Sequence, residues 1–146
     1  MTTVITNATI VTGDAGRTIL YDSAIAIDGD RIVAAGSTSE VLAAHPEASQ
    51  VEGIGKAVFP GLVNCHTHLL ACSDRGILED WGFPTTLRFP VTARSLLTQE
   101  ERQVIATLGA LEAIRSGTTC LLEIQTGVAD YAGHLGTTGL RVVLGD

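Results

Sequence analysis

Two histidines, His66 and His68, have the residue type and the spacing that could bind a metal ion. They follow an apolar, strand-like segment, KAVFPGLVNC, and in an extended strand successive side chains point to opposite faces. Both imidazoles therefore project from one face, with Thr67 on the other, and one cation could meet both rings. Imidazole nitrogen is the usual biological ligand for zinc and also suits iron, nickel and copper.

The His-x-His spacing alone is weak evidence, because a chain with four histidines contains such a pair by chance at a frequency on the order of 10%. The alternative is a pair of ordinary core histidines. That alternative requires each buried ring to find its own hydrogen-bonding partner. From the residues alone, a metal site and a structural role both stay open.

Four other side chains are of a type that could take part in a metal site, and none is expected to do so. His45 lies in a predicted surface loop, and His134 lies on a predicted helix. Cys72 follows His68 by four residues, a spacing that fits no familiar zinc module. Asp146 is not expected to act as a catalytic aspartate.

The first part of the chain predicts short strands joined by turns. TVITNATIVT is rich in β-branched residues, and SAIAID and RIVAAG flank Gly29 as a hairpin. A short helix is predicted over residues 39–44, capped by Ser37 or Thr38.

From Lys56 onward the pattern predicts alternating strands and helices. After a long irregular segment, Thr98 and Glu101 form a capping box that opens the clearest helix, and Gly117 closes it. TTCLLE and LRVVLG predict two further strands with a weaker helix between them, an order that implies parallel pairing. Glu123 is expected to be a solvated carboxylate at a strand end. The apolar residues of the clear helix fall on one face: Val104, Ile105, Leu108, Leu111 and Ile114.

Composition excludes several classes of protein. A net charge of −7 without a basic cluster argues against a nucleic-acid partner. The apolar runs are too short for a membrane helix, and the N-terminal residues do not form a secretory signal, so a soluble, cytoplasmic protein is expected. Three cysteines in such a chain are expected to be reduced thiols.

The segment VFPGLVNCHTHL closely resembles the motif at the first barrel strand of the amidohydrolase superfamily. The similar branch is the one that holds cytosine, guanine and adenosylhomocysteine deaminases and the triazine hydrolases. VITNATIVT and AIAIDGDRIVAAG resemble the opening β-sandwich of that branch. EAIRSGTTCLLE resembles its first helix and second strand, and GLRVVLG its third strand, so the resemblance covers all 146 residues.

The resemblance implies an α/β fold, the N-terminal part of a (β/α)8 TIM barrel preceded by strands of a small β-sandwich domain. The sandwich portion would cover residues 1–55, and the first three barrel strands with their helices would cover residues 56–146. The implied activity is hydrolysis by a metal-activated water. His66 and His68 would bind one divalent ion, with zinc expected first and iron as the other choice, while Cys65 and Thr67 would face away and pack.

The implied substrate is a small nitrogen heterocycle, similar to a nucleobase or a triazine, which loses an amine or a halide. Glu79 and Trp81 follow the first strand in a loop that overhangs the substrate in similar enzymes. The Trp81 ring could stack on such a heterocycle, or it could simply pack within the loop.

The sequence departs from the family pattern in one respect. The family takes further ligands from the fifth, sixth and eighth strands, and a barrel of this type needs about 250 residues. We therefore expect the 146-residue chain alone to be inactive and to depend on barrel strands from further sequence or from another chain. A homo-oligomer is expected. The alternative is a non-catalytic fragment or interaction subunit that retains a partial metal site.

Overall fold

The computed structural model describes residues 1–77 and 92–146, and the chain divides into two compact units, Met1–Pro60 and Gly61–Asp146. Within the described residues, the first unit contains a five-stranded sheet and the second a three-stranded sheet. No helix in these residues is long and apolar enough to cross a membrane. All three cysteines are free thiols, as expected.

The first unit is built on a long strand that pairs with three others. Strand β1 is antiparallel to β2, β2 is antiparallel to β3, and β4 and β5 both run parallel to β1. The elements are β1 (Thr2–Val11), β2 (Ile19–Asp28), β3 (Arg31–Ser37), α1 (Thr38–Ala44), β4 (Ser49–Glu52) and β5 (Ala57–Val58).

Local sequence explains the two tightest features of this unit. Gly29, with a φ of 58°, lies in the turn between β2 and β3, which confirms the predicted hairpin. The Ser37 hydroxyl accepts the Glu40 N–H, so Ser37 is the cap of α1. Val4 and Val41 belong to the small apolar cluster that joins α1 to the sheet.

The second unit alternates strands with helices. Its sheet has the order β6-β7-β8, and both pairings are parallel, as predicted. The elements are β6 (Leu62–Thr67), α2 (Gln99–Arg115), β7 (Thr118–Ile124), α3 (Ala132–Gly136) and β8 (Arg141–Gly145), with 3-10 turns at Leu69–Asp74, Ala93–Ser95 and Val128–Asp130.

Helix α2 begins at the predicted capping box, in which Thr98 and Glu101 each accept a backbone N–H of the other. The buried face of α2 is narrower than the stripe of apolar residues in its sequence predicts. The fully buried residues are small, Ala106, Gly109 and Ala110, because the backbone of another segment lies directly against this face. Of the apolar stripe, Ile105 and Ile114 pack on the core, whereas Val104, Leu108 and Leu111 are exposed.

The two sides of the β6-β7-β8 sheet differ in cover. On one side Leu121, Tyr131 and Leu135 are buried in a cluster together with residues of α2. On the other side Val63 is 65% exposed and Val143 is 59% exposed. The helices therefore cover one side of this sheet within the described residues.

Candidate metal-binding site

The two histidine rings meet at the carboxyl end of β6. His66 is the second-last residue of β6, and His68 follows the strand directly. Both residues are exposed. The Nε2 atoms are 3.2 Å apart, and the ring centroids are 4.9 Å apart with the ring planes perpendicular. The alternation of side chains along the strand thus brings both imidazoles to one place, as the sequence predicts.

A hydrogen bond determines which nitrogen of His68 carries the proton. The Nδ1 atom of His68 donates to the carbonyl oxygen of Ile124, the last residue of β7. A carbonyl oxygen only accepts, so Nδ1 carries a proton, and the lone pair of a neutral ring in this tautomer is on Nε2. That lone pair is the one that faces His66.

The backbone of His66 is held by a side chain of its own strand. The Asn64 Oδ1 atom accepts the His66 N–H at 3.1 Å. The β6-β7 ladder shifts register between Asn64 and Thr67, so the side chain supplies an acceptor where regular pairing is interrupted. Sequence reasoning missed Asn64, although an asparagine two residues before a candidate ligand is a typical signal of such a local bond.

The separation of the two nitrogens suits a shared cation. Two nitrogens bound to one tetrahedral zinc ion at about 2.0 to 2.1 Å lie about 3.3 to 3.4 Å apart. The same 3.2 Å also suits a hydrogen bond in which His66 donates to His68. No group of three or more His, Cys, Asp or Glu side chains in residues 1–77 and 92–146 could hold a metal ion. The candidate donors to a cation at this end of β6 are therefore the two imidazoles.

Glu123 is buried, and the expectation of a solvated strand-end carboxylate is wrong. The residue is 0% exposed, and its carboxylate accepts the Leu69 N–H at 2.9 Å and the Tyr131 hydroxyl at 2.7 Å. Burial raises the pKa of Glu123, and the bonds from Tyr131 and Leu69 partly oppose that rise. Burial and the adjacent carboxylate also raise the pKa of Tyr131. The available signal was alternation, which places Glu123 on the same side as Leu121.

The neighbours of the histidines along β6 only partly follow the expected packing. Thr67 is half-buried, but Cys65 is exposed. Cys65 follows Val63 by two residues and lies with Val63 and Val143 on the side of the sheet that the described helices leave uncovered, which is the reason that it does not pack as expected. The candidate substrate residues Glu79 and Trp81 lie outside the described residues.

The other candidate side chains have different surroundings. The Cys72 thiol donates to the Ile105 carbonyl oxygen, and burial raises the pKa of Cys72. An Asp146 carboxylate oxygen accepts the Gly127 N–H at 2.8 Å. His134 is exposed on α3.

Comparison with known protein families identifies the group. A model of the amidohydrolase family matches residues 57–146, which is more than half of the chain. The chain belongs to the amidohydrolase family. A second model, described as an imidazolonepropionase-like composite domain of bacteria, matches residues 24–48 in the first unit. The resemblance inferred from the His-x-His strand motif is thereby confirmed.

Individual relatives agree with this assignment. A 5-methylthioadenosine/S-adenosylhomocysteine deaminase of Nitratidesulfovibrio vulgaris (strain DSM 19637 / Miyazaki F) is 34% identical over 142 residues, a match that covers 95% of this chain and 32% of the relative. Another deaminase with the same description, from Haloarcula marismortui, is 32% identical over 93% of this chain and 28% of its own length. The chain thus spans about a third of the length of the curated relatives it matches.

Solved structures show the fold. An atrazine chlorohydrolase of Arthrobacter aurescens TC1, crystallised with zinc, superposes with a TM-score of 0.78 at 23% identity over 97% of this chain and 35% of that chain. The aminofutalosine deaminase of Helicobacter pylori, in complex with methylthio-coformycin, gives a TM-score of 0.74 at 17% identity over 97% of this chain and 34% of that chain. The fold class is α/β, the N-terminal part of a (β/α)8 barrel preceded by strands of a small β-sandwich.

Proposed function

We propose that this chain supplies the first two metal-binding side chains, His66 and His68, of a metal-dependent amidohydrolase. The protein would hydrolyse a C–N or C–halogen bond of a nitrogen heterocycle similar to a nucleobase or a triazine. It would be competent only when further barrel strands, from additional sequence or from another chain, complete the site. One divalent ion is needed, with zinc as the first choice and iron as the second.

The convergence of the two imidazoles carries the proposal. The Nε2 atoms lie 3.2 Å apart, and the Nδ1–H of His68 donates to Ile124, which leaves the Nε2 lone pair of His68 available to a cation. Imidazole donors with a carbonyl partner on the second ring nitrogen are the usual arrangement in zinc proteins. The zinc-containing chlorohydrolase of the same fold adds support for a divalent ion.

These contacts suggest a separate role for each histidine in the site. When bound, a divalent metal ion lowers the pKa of the water attached to it and, as a Lewis acid, polarises the electrophilic group of the substrate. His68 would hold the ion through Nε2, with its ring fixed by Ile124. His66 would hold it through the facing Nε2, with its backbone fixed by Asn64.

The substrate class rests on the relatives. Those matched by sequence are described as adenosine-derivative deaminases, and a matched structure is described as an atrazine chlorohydrolase. We extend that class to this chain, with Glu79 and Trp81 as the candidate substrate contacts. A sandwich domain over residues 1–55, a barrel portion over residues 56–146, a cytoplasmic location and a homo-oligomeric state complete the proposal.

A second candidate function is a non-catalytic fragment or interaction subunit with a partial metal site. One observation favours it: the described residues offer two imidazoles and no third nearby donor. In that case the 146-residue chain would bind zinc weakly and release no ammonia or chloride from any heterocycle.

Histidine replacement in the full-length protein tests the proposal. The variants His66→Ala and His68→Ala should each lower zinc affinity by more than about 100-fold, because each removes a direct donor and not only a residue that orients one. Hydrolysis of nucleobase and triazine substrates should fall in parallel. The control is His134→Ala, which removes an exposed imidazole on α3 and should leave both measurements unchanged.

Elemental analysis and an ammonia or chloride release assay provide the two readouts. Normal metal content and normal rates in both His66→Ala and His68→Ala would contradict the assignment. Zinc binding that depends on both histidines, in a full-length protein without turnover, would favour the second candidate.

A further inference from the structure

A buried carboxylate stands directly behind the histidine pair. Glu123 is fully buried on the helix-covered side of β7, on the same side as Leu121. A carboxylate in an apolar core is unfavourable unless hydrogen bonds compensate it, and an apolar residue would fill the same space without that cost. Packing alone does not account for a carboxylate at this position.

The hydrogen bonds of Glu123 lead to the segment that carries His68. Both carboxylate oxygens accept the backbone N–H of Leu69, at 3.1 and 2.9 Å, and Leu69 directly follows His68. The hydroxyl of Tyr131 donates to the same carboxylate at 2.7 Å and so restricts its rotation. The chain is therefore held one residue beyond the candidate ligand.

The next residue of β7 holds the ligand itself. Ile124 follows Glu123, and its carbonyl oxygen accepts the Nδ1–H of His68. Two consecutive residues of β7 thus hold two consecutive residues of the chain after β6. Gly109 of α2 also approaches Leu69 so closely that a Cβ atom there would lie 2.7 Å from the Leu69 carbonyl oxygen.

We propose that Glu123, fixed by Tyr131, is a positioning residue for His68: by accepting the Leu69 N–H, it places the imidazole so that Nδ1–H donates to Ile124 and Nε2 faces His66. The part of this inference that concerns metal affinity rests on the proposed function. The part that concerns the ring tautomer of His68 stands on the hydrogen bonds alone.

Two conservative variants separate acceptor position from charge. Glu123→Gln keeps an oxygen at the same reach but removes the charge, and it should preserve the Nδ1–H tautomer of His68 and keep zinc affinity within a few-fold. Glu123→Asp keeps the charge but withdraws the oxygens from Leu69. It should shift the tautomer population of His68 and weaken zinc binding by about 10- to 100-fold, as is typical when the partner of a ligand is lost.

Ring nitrogen NMR of the metal-free full-length protein and titration with zinc alone supply the readouts. The control is Leu135→Ala, which removes packing from the same core cluster but none of the hydrogen bonds of Glu123, Leu69 or His68, and it should leave the His68 tautomer unchanged. If Glu123→Asp does not fold, Tyr131→Phe replaces it. Loss of the hydroxyl should shift the tautomer in the same direction by a smaller amount.

An unchanged His68 tautomer in Glu123→Asp, or in Tyr131→Phe when that variant is used, would overturn the inference. So would the reverse order, in which Asp preserves the tautomer and Gln disturbs it, because charge and not acceptor position would then matter. A tautomer that shifts as expected while zinc binding is absent in every protein, including the parent, would support the positioning role and contradict the proposed metal site instead.

Discussion

The two sides of the β6-β7-β8 sheet differ in which side chains they bury. The helix-covered side buries both apolar and charged side chains, whereas the opposite side leaves apolar side chains exposed. On the covered side the apolar Leu121 is 1% exposed, and the carboxylate of Glu123 is satisfied by Leu69 and Tyr131. On the opposite side the apolar Val63 and Val143 are exposed.

The difference separates the groups that hold the backbone in place from the groups that are exposed to a ligand. On the covered side, the hydrogen bonds of Glu123 fix the backbone that follows β6. The rings of His66 and His68 at the end of β6 are exposed, and under the proposed function each gives its Nε2 atom to a cation. Changes on the covered side should therefore reduce stability first, and changes to the contacts of Leu69 should reduce both stability and metal retention.

The largest expected effect contrasts the two sides directly. In the 146-residue chain, Leu121→Ala should lower the free energy of unfolding by about 2 to 5 kcal/mol, because it opens a cavity in a packed core. Val143→Ala removes a side chain that is 59% exposed and should change the free energy of unfolding by less than about 0.5 kcal/mol. Urea unfolding measures both, and equal losses would show that the second side is as well packed as the first.

A glycine pair sharpens the comparison at the Leu69 peptide. Gly109→Ala should destabilise the fold by about 1 to 3 kcal/mol, because the new Cβ meets backbone and the neighbouring chain must shift. Zinc retention should fall as well, since the displaced segment carries His68. The matched control is Gly133→Ala, which meets nothing within 4 Å on α3 and should be neutral or stabilising by up to about 1 kcal/mol. Identical stability and metal content in the two variants would contradict the importance of this close approach.

A helix cap on the covered side should affect stability alone. Thr98→Ala removes the acceptor for the Glu101 N–H and should cost about 1 kcal/mol. Zinc affinity should not change, because the hydrogen bonds of the Thr98 side chain stay within the start of α2. Thr107→Ala on the same helix is the control and should be neutral, since its hydroxyl only donates back to the Gln103 carbonyl. A loss of metal with Thr98→Ala but not with Thr107→Ala would show that the cap supports the site.

The smallest expected effect is a dependence on pH. The Arg75 guanidinium donates to both carboxylate oxygens of Glu112 and holds the pKa of that exposed carboxyl below its usual value. Because the folded state binds the proton less readily than the unfolded state, the pair adds stability above the usual pKa of about 4.3, and this contribution is lost as the pH falls through the lower folded pKa. Glu112→Gln should make the acid limb of the stability curve shallower. The matched charge control is Glu100→Gln. If the acid limb of Glu112→Gln equals that of the parent and of this control, the Arg75–Glu112 pair does not contribute to the pH dependence of stability.

Much of the fold follows from local signals in the sequence. The capping box at Thr98 and the hairpin at Gly29 are set by hydrogen bonds between residues a few positions apart, so both were predictable. The meeting of His66 and His68 was equally predictable, because it needs only the alternation of one strand.

The supporting contacts could not be predicted in the same way, because they join segments that are distant in sequence. Glu123 lies 54 positions from Leu69, and Ile124 lies 56 positions from His68. Only packing decides whether a strand-end carboxylate is solvated or buried. The apolar stripe of α2 likewise did not reveal that Gly109 would form the contact face.

Anomalous diffraction from crystals of the zinc-loaded full-length protein tests the central claim most directly. The account predicts one zinc peak that lies about 2.0 to 2.1 Å from the Nε2 atoms of both His66 and His68, with the Nδ1 atom of His68 still bonded to the Ile124 carbonyl. A zinc ion bound elsewhere, with the two rings joined only by their own hydrogen bond, would contradict it.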